Sequence, residues 1–396
     1  MCVCRGESRN CFCKENQCCI LESLAFSHQW EVGLISNLYD LYEYLKNNHN
    51  NEYDLIWLYR DFENCKYTKI EKKYSLYSLK GLWQIINSKY FVITHTSFLT
   101  DTFSLNKHVI LQLWHGMPIK TLGYLEKGIT PDLLNKYQEA GKYEHFFVTS
   151  DMFKLAMLPC FLMNPNKIHI TGQPRTDCIY SGRNKQKINE YLNAKKYDKV
   201  VIYAPTYKEA LRNNKRDVLS KFKNIFYCND YSDNDFFKFI EENNILFVIK
   251  PHPFDEKFYM NYLFEGKFQH PNLKFIFDKD LKENDFYFYE FFTLADLMIT
   301  DYSSIAIDYL VTKKPVIFLK STVEEYSQSR NFILEDNYEI VMAGEKVYNF
   351  KELLIAMHDA LTIDSYKDKR LKKLPLLHKY TDSNSSERIY QIMKTL

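Results

Sequence analysis

The sequence predicts an α/β protein with two doubly wound domains, each built around a mainly parallel sheet. The chain has 396 residues, whereas a single hydrophobic core stops growing at roughly 250 to 300 residues. Short β-branched or aromatic runs alternate with longer amphipathic segments, which is typical of βαβ units. This alternation occurs twice, on either side of a polar stretch at residues 181–187 that we interpret as a linker. We therefore expect two domains that face each other across a cleft.

Five strands are predicted in each domain. In the first domain the apolar runs that indicate strands lie at residues 19–21, 54–58, 91–93, 109–111 and 146–148. In the second domain they lie at residues 200–203, 246–249, 275–277, 297–299 and 316–319. Between strands the apolar spacing becomes helical, and the clearest stripe is formed by Leu34, Leu38, Leu41 and Leu45.

These runs define the expected domain boundaries. We predict a first domain at residues 17–180, a second at 195–375 and a final helix within 376–396. Residues 1–16 are expected to be a cysteine-rich leader outside the fold. The leader's spacing of C-x-C, C-x-C and CC differs from the C-x2-C of zinc knuckles, so we favour a reduced, solvated leader over a metal site.

Composition excludes several classes of protein. The 52 basic and 50 acidic side chains give a formal net charge of +2, which provides no general electrostatic basis for binding nucleic acid. The chain has no run of about 18 apolar residues that would predict a membrane span, and the first residues lack the apolar core of a secretory signal. We therefore expect a cytoplasmic protein.

A histidine follows the strand predicted at 109–111, in the sequence Trp114-His115-Gly116-Met117-Pro118. The glycine and proline indicate that the chain turns as it leaves the strand. An imidazole held at such a turn can accept a proton from an attacking hydroxyl. The alternative is a histidine that only satisfies a carbonyl of the turn.

A second histidine follows the strand predicted at 246–249, in Lys250-Pro251-His252-Pro253. The flanking prolines restrict the backbone, and so fix the direction of the imidazole. Lys250 adds a positive charge that could act on phosphates. The alternative is a stiff loop with a histidine that faces solvent.

Polar residues also follow the strand predicted at 297–299, in Thr300-Asp301-Tyr302-Ser303-Ser304. Small hydroxyl residues at the start of a helix, together with the helix dipole, can bind phosphate. Thr300, Asp301, Ser303 and Ser304 are therefore candidates for a phosphate-binding site. The alternative is an ordinary serine N-cap.

Two further segments offer contacts with a nucleotide. Arg175, in the sequence GQPRTD after a short strand at 168–171, could pair with a diphosphate. Pro205, Thr206 and Lys208, in YAPTYKE after the strand at 200–203, could contact a base. Packing between the two domains is the alternative for both segments.

Taken together and in this order, these segments resemble the CDP-glycerol glycerophosphotransferase family, which makes teichoic acids and some capsule polymers. The matching text is LWHGMPIK, VTSD, GQPRTD, YAPTYKE, IKPHP, TDYSSIAIDYL, KPVIFL and DSNSSER. The chain departs from the family's usual pattern at Met117, where threonine is common, and at Tyr207-Lys208. The resemblance implies two Rossmann-like domains in the glycosyltransferase-B architecture and a transferase that needs no metal or other cofactor.

The resemblance also implies the reaction. A polyol-phosphate unit, most simply glycerol phosphate, would pass from a CDP-alcohol to a hydroxyl of a cell-wall or capsule polymer, with release of CMP. The family's two essential histidines fall on His115 and His252, and the resemblance places the donor's phosphates at Ser303 and Ser304. We assign His115 as base for the acceptor hydroxyl, and His252 with Lys250 to the donor phosphates. A lipid-linked or capsular acceptor would bring the enzyme to the inner face of the cell membrane as a peripheral protein.

Two alternatives to this function remain. A nucleotide-sugar-dependent glycosyltransferase of the same architecture would have the same fold and diphosphate site, but would not need both histidines. A catalytically silent scaffold of a polymer-export complex would keep the fold without transfer. Retention of His115, His252 and Lys250 argues against the scaffold.

Overall fold

The computed structural model describes residues 17–21, 36–59, 70–94, 108–119, 121–126, 128–206, 224–321 and 340–396. The predicted leader, Leu34 and Lys208 lie outside these residues. The chain divides into two compact units. The first contains residues up to His115, Gly123–Asp177 and Asp382–Leu396, and the second contains Gly116–Leu122 and Cys178–Thr381.

In the part of the first unit that the structure describes, seven parallel strands form one sheet, in the order β3-β2-β1-β4-β5-β6-β7. The strands are β1 Gln17–Leu21, β2 Asp54–Tyr59, β3 Lys73–Ser75, β4 Tyr90–Ile93, β5 Val109–Gln112, β6 Glu144–Val148 and β7 Ile168–Ile170. The helices of this part of the chain are α1 Ser36–Asn48, α2 Leu79–Asn87, α3 Pro131–Tyr143, α4 Asp151–Phe161 and α5 Pro174–Ser181. Leu38, Leu41 and Leu45 of α1 are fully buried, as their spacing predicts.

Within the described ranges of the second unit, six parallel strands form a sheet in the order β10-β9-β8-β11-β12-β13. The strands are β8 Lys199–Tyr203, β9 Ile245–Ile249, β10 Leu273–Phe275, β11 Leu297–Thr300, β12 Val316–Leu319 and β13 Glu345–Val347. The helices are α6 Lys185–Leu192, α7 Asp233–Glu242, α8 Glu256–Phe264, α9 Asp278–Asn284, α10 Ile305–Tyr309, α11 Phe350–Thr362 and α12 Lys367–Leu377. None of the helices among the described residues is long and apolar enough to cross a bilayer.

Most of the predicted strands are confirmed, and the α/β class with parallel sheets is confirmed with them. The prediction at 275–277 was wrong by two residues. The strand ends at Phe275, because the amide of Phe277 donates to the carboxylate of Asp280 at 2.7 Å and so begins α9. The sequence also failed to indicate β3 and β13. Both are three-residue strands at the edges of their sheets, where one side lacks a partner strand and a continuous apolar run is not required.

The polar stretch at 181–187 has ordered contacts within the second unit. Arg183 and Asn184 both bind the fully buried carboxylate of Glu290, and α6 begins at Lys185. Fixing two side chains to a buried carboxylate removes the freedom that a polar linker otherwise has.

The last helix, α13 Ser385–Met393, belongs to the first unit. Asn384, at the N-cap of this helix, makes no side-chain cap, and the cap comes instead from Asp177 of α5. Its carboxylate accepts the backbone amides of Ser385 and Ser386 at 3.1 and 2.9 Å. Gly172, with φ +85°, allows the close approach, since a Cβ there would lie 2.5 Å from the hydroxyl of Ser385.

Candidate functional site

His115 lies just beyond the carboxyl end of β5, on a turn with a strained residue. Trp114 has φ +54°, in the left-handed region, which costs a bulky residue about 1–3 kcal/mol. The indole is 5% exposed and packs against the rings of Phe146 and Phe161, with centroid distances of 6.1 and 5.4 Å. The turn therefore directs Trp114 into the core and presents the next residue, His115, at the edge of the sheet.

The imidazole of His115 is half-buried and oriented by two contacts. Its Nδ1 lies 3.0 Å from the carbonyl oxygen of Thr94, and its ring stacks on that of Trp114 with centroids 4.6 Å apart. A carbonyl can only accept, so Nδ1 carries the proton and the lone pair is on Nε2. Burial lowers the pKa of His115 to about 4; the bond to Thr94 opposes this shift, and the charge of Arg175 adds to it. The ring is therefore neutral at neutral pH and can accept a proton.

Arg175 is hydrogen-bonded within the protein, and its predicted role at a diphosphate stays a prediction. The side chain is 1% exposed, and Nη1 donates to the carbonyl oxygen of His115 at 2.8 Å. The structure therefore connects Arg175 to the His115 turn.

Sequence reasoning missed three other polar side chains beside this turn. Asn37, Gln112 and Gln173 are each fully buried. One signal could have identified Gln112, because it interrupts an otherwise apolar run, VILQLW. Asn37 lies on the buried face of α1, next to Leu38, and Gln173 is part of the GQPRTD motif but was not selected.

His252 lies beyond the carboxyl end of β9 on a rigid loop. The amide of Lys250 donates to the carbonyl oxygen of Tyr203 at 2.9 Å, which continues the pairing of β8 with β9. The carbonyl oxygen of His252 accepts the amide of Asp255 at 2.8 Å, in a single 3₁₀ turn that begins at Pro253. These bonds fix the backbone that carries His252, whose side chain is half-buried.

Lys250 is bonded within the protein, and its predicted action on donor phosphates stays a prediction. Its side chain is 9% exposed, and Nζ lies 3.0 Å from a carboxylate oxygen of both Glu256 and Asp278. Nζ also donates to the carbonyl oxygen of Pro251 at 2.9 Å. The ammonium has three hydrogens, and three protein oxygens surround it. Lys250 thus stabilises the His252 loop by joining its backbone to two carboxylates.

Thr300 and Asp301 are likewise bonded within the protein, and their predicted contact with phosphates stays a prediction. Thr300 is fully buried and its hydroxyl donates to the carbonyl oxygen of Ala204 at 2.6 Å. Asp301 is 2% exposed, and its carboxylate accepts the amide and the hydroxyl of Thr206 at 2.9 and 2.7 Å. These bonds connect the loop after β11 to the loop after β8.

Ser303 and Ser304 are half-buried and precede α10, a helix of five residues. The hydroxyl of Ser303 accepts the amide of Ile305 at 3.4 Å, a weak N-terminal bond, and Ser304 makes no side-chain cap. The phosphate cradle at these serines stays a prediction. Pro205 and Thr206 are buried beside Asp301.

The second sheet brings three of the predicted segments to one edge. Strands β9, β8 and β11 are neighbours in the sheet, and the loops with His252, Thr206 and Ser303 follow their carboxyl ends. Ligands of open α/β sheets bind at this edge. No group of three or more His, Cys, Asp or Glu residues suited to hold a metal ion occurs among the residues whose structure is described.

A family model described as CDP-Glycerol:Poly(glycerophosphate) glycerophosphotransferase matches residues 20–394. This chain belongs to that family. The resemblance drawn from the motifs is confirmed by the match, which covers most of the chain.

Several relatives of known activity are similar in sequence to this member of the family. The teichoic acid glycerol-phosphate primase of Bacillus subtilis (strain 168) is 23% identical over 354 residues, which cover 85% of this chain and 81% of the primase. The teichoic acid ribitol-phosphate polymerase TarL of Staphylococcus aureus is 29% identical over 307 residues, 74% of this chain and 49% of TarL. The chain thus spans most of the primase but about half of the ribitol-phosphate polymerase.

Solved structures show the fold. The wall teichoic acid polymerase TagF superposes with a TM-score of 0.72 at 18% identity, covering 96% of this chain and 88% of the TagF chain. The predicted glycosyltransferase-B fold is thereby confirmed. The UDP-GlcNAc 2-epimerase of Methanocaldococcus jannaschii also superposes, with a TM-score of 0.56 at 16% identity over 96% of this chain and all of the epimerase. The same fold therefore serves different reactions, and the residues of the site must decide between them.

Proposed function

We propose that this protein transfers a polyol-phosphate unit, glycerol phosphate in the first instance, from a CDP-alcohol to a hydroxyl of a cell-wall polymer, with release of CMP. The observation that carries the proposal is the state of His115. In a chain of this family, a neutral imidazole with its lone pair on Nε2 follows a strand of a parallel sheet. A group of this kind can take the proton of an attacking hydroxyl.

In the proposed reaction the acceptor oxygen forms a bond to the phosphorus that carries the alcohol. The bond from that phosphorus to the oxygen of CMP breaks, and the hydroxyl proton passes to Nε2 of His115. Phosphoryl transfer depends mainly on in-line placement and on stabilisation of charge. We assign His252 to the leaving phosphate, as hydrogen-bond or proton donor, and the Ser303–Ser304 segment to the diphosphate.

The finer identity of the acceptor belongs to the same proposal. A lipid-linked polymer at the cytoplasmic face of the membrane is the acceptor we favour, with a capsular saccharide as the second choice. Either acceptor carries the free hydroxyl that the reaction requires. A lipid-linked acceptor would require the protein to make peripheral contact with the membrane.

A donor screen tests the proposed reaction. The full chain is incubated with a polymer acceptor and, separately, CDP-glycerol, CDP-ribitol and UDP-sugars, and the released nucleotide is identified by chromatography. We expect CMP from a CDP-alcohol and a product whose mass increases by polyol phosphate. Release of UDP from a UDP-sugar would support the glycosyltransferase instead. Absence of any release from every donor would support the silent scaffold.

The pH dependence of kcat/KM should reflect the low pKa of His115. The base is active when neutral, so activity is retained as pH falls below the ordinary histidine value of 6.5 and is lost through about pH 4. Initial rates of CMP release, with circular dichroism at each pH to confirm folding, measure this limb. A limb centred near 6.5 would show that His115 is not the titrating base in the state described.

A further inference from the structure

Four polar backbone groups of residues 113–115 are bound by side chains, while the amide of Leu113 continues the β4–β5 pairing by donating to the carbonyl oxygen of Ile93 at 2.8 Å. The four side chains that bind these groups are each at most 1% exposed. Gln112 accepts the amide of Trp114 at 3.0 Å, and Asn37 donates to the carbonyl oxygen of Trp114 at 3.0 Å. Gln173 donates to the carbonyl oxygen of Leu113 at 3.0 Å, and Arg175 donates to that of His115 at 2.8 Å. We refer to Asn37, Gln112, Gln173 and Arg175 as the His115 network.

The members of the His115 network come from different elements and are connected to one another. Asn37 lies in α1, Gln112 ends β5, and the other two follow β7. Asn37 donates to the side chain of Gln173 and accepts the amide of Arg175 at 3.1 Å. Gln173 also donates to the carbonyl oxygen of Phe147 at 3.2 Å. A displacement of one element would therefore be transmitted to the turn.

Such a network is costly unless it serves a particular geometry. Amides and a guanidinium lose hydration on burial, and well-packed apolar side chains would fill the same space without that loss. All four side chains bind the same three-residue turn, which includes Trp114 in its left-handed conformation. Buried side chains that are hydrogen-bonded to one another and to the same turn favour one arrangement of the groups they join. Here that arrangement is the one that presents His115.

We propose that the His115 network consists of positioning residues, which fix the direction and the Nδ1–H tautomer of the His115 imidazole. The inference rests on the proposed role of His115 as the base, and it adds residues that act through the histidine rather than on substrate. The bond from Nδ1 to Thr94 requires the turn to hold its place, so a loosened turn loses the tautomer and exposes the ring to water. The charge of Arg175, which lies in α5, acts on the ring and lowers its pKa.

Three substitutions at two positions test the network. Arg175→Met removes the guanidinium, Arg175→Lys keeps the charge without the planar donor, and Gln112→Met removes the acceptor for Trp114 with little change in shape. Gln112→Met is the variant best suited to fold. Its other partner, Glu144, has a pKa that burial raises to about 8, so that this carboxyl is largely protonated at neutral pH and no buried charge is left behind.

The measurement is the state of His115 itself. Nitrogen-15 NMR of protein labelled at histidine gives the pKa and the tautomer, with His115→Asn to assign the signal. In Arg175→Met and Gln112→Met we expect the midpoint to move from about 4 toward 6.5 and the Nε2–H form to appear. We expect kcat to fall by about 10²-fold with the KM for CDP-glycerol unchanged, since small misplacements have effects of this size. Arg175→Lys should recover part of the loss.

Asn224→Leu is the matched control. Asn224 is also buried and also binds loop backbone, donating to the carbonyl oxygen of Cys228 at 2.8 Å, but it lies in the second unit. This substitution should lower thermal stability and leave the His115 signal unchanged.

Folded Gln112→Met and Arg175→Met proteins with the wild-type pKa, tautomer and kcat would overturn the proposal. A raised KM for CDP-glycerol with unchanged kcat in Arg175→Met would support the predicted role of Arg175 at the donor site instead. Full activity of His115→Asn would refute the base, while the NMR result would still test the network.

Discussion

Replacing His115 with asparagine is expected to lower kcat for polyol-phosphate transfer by about 10²–10⁴-fold, the range usual for loss of a general base. The amide nitrogen of asparagine can take the place of Nδ1 and donate to Thr94, so the turn should keep its conformation. Nε2, which would accept the proton, is lost. The KM for the donor should be unchanged, because the substitution removes an interaction that forms only in the transition state. Steady-state CMP release measures both constants.

His108→Asn provides a control of the same chemistry. Nδ1 of His108 also contacts a backbone carbonyl, that of Ser88 at 2.7 Å, and the residue is half-buried at the opposite end of β5. Its loss should leave kcat near the wild-type value. If His115→Asn and His108→Asn have equal kcat, His115 is not the base and the proposed mechanism fails.

Replacing Lys250 with methionine is expected to lower the free energy of unfolding by about 3–5 kcal/mol, the range found when one partner of a buried ion pair is removed. The carboxylates of Glu256 and Asp278, each about 13% exposed, would then face each other without a cation. Burial already raises the pKa of Glu256, and loss of Lys250 raises it further. A carboxyl whose pKa is raised on folding destabilises the protein above its unfolded pKa, so the deficit should shrink at acidic pH. Urea unfolding at several pH values measures it.

Two further variants give the controls for Lys250. Lys72→Met removes an exposed ion pair with Asp54, with side chains 54% and 28% exposed, and should cost less than about 1 kcal/mol. Adding Glu256→Gln to Lys250→Met removes one of the two opposed charges and should recover part of the stability. Equal stability of Lys250→Met and Lys72→Met would show that the buried ion cluster does not support the His252 loop. A raised KM for CDP-glycerol in a stable Lys250→Met protein would instead support the original assignment to donor phosphates.

The central strands could be predicted because burial on both faces requires continuous apolar sequence. The run Leu246–Ile249 is an example, since every residue of β9 is buried. The edge strands β3 and β13 have no such requirement, and their sequences, KYS and EKV, carry no comparable signal. The boundary at Phe275 was missed because it depends on a side chain, that of Asp280, which starts the next helix.

The positions of the candidate site residues could also be anticipated, but not all of their roles. His115 and His252 follow strands, and the parallel topology places such residues at the ligand-binding edges of the sheets. The assignment of Arg175 and Lys250 to phosphate rests on charge alone. Both cations have partners within the protein: the carbonyl oxygen of His115, 60 residues from Arg175, and the carboxylates of Glu256 and Asp278.

The sequence by itself determined the class of the fold and the family, because apolar periodicity and motif order are properties of the linear chain, and it predicted the two histidines. The tertiary structure alone decided which groups the polar side chains bind. It assigned Asp177 to the last helix, 208 residues away, and Asp301 to Thr206, 95 residues away. A polar side chain is satisfied by whatever group the fold brings within hydrogen-bonding distance, and that group is seldom near in sequence. For this reason a charge next to a motif histidine could be recognised in the sequence, whereas its partner could not.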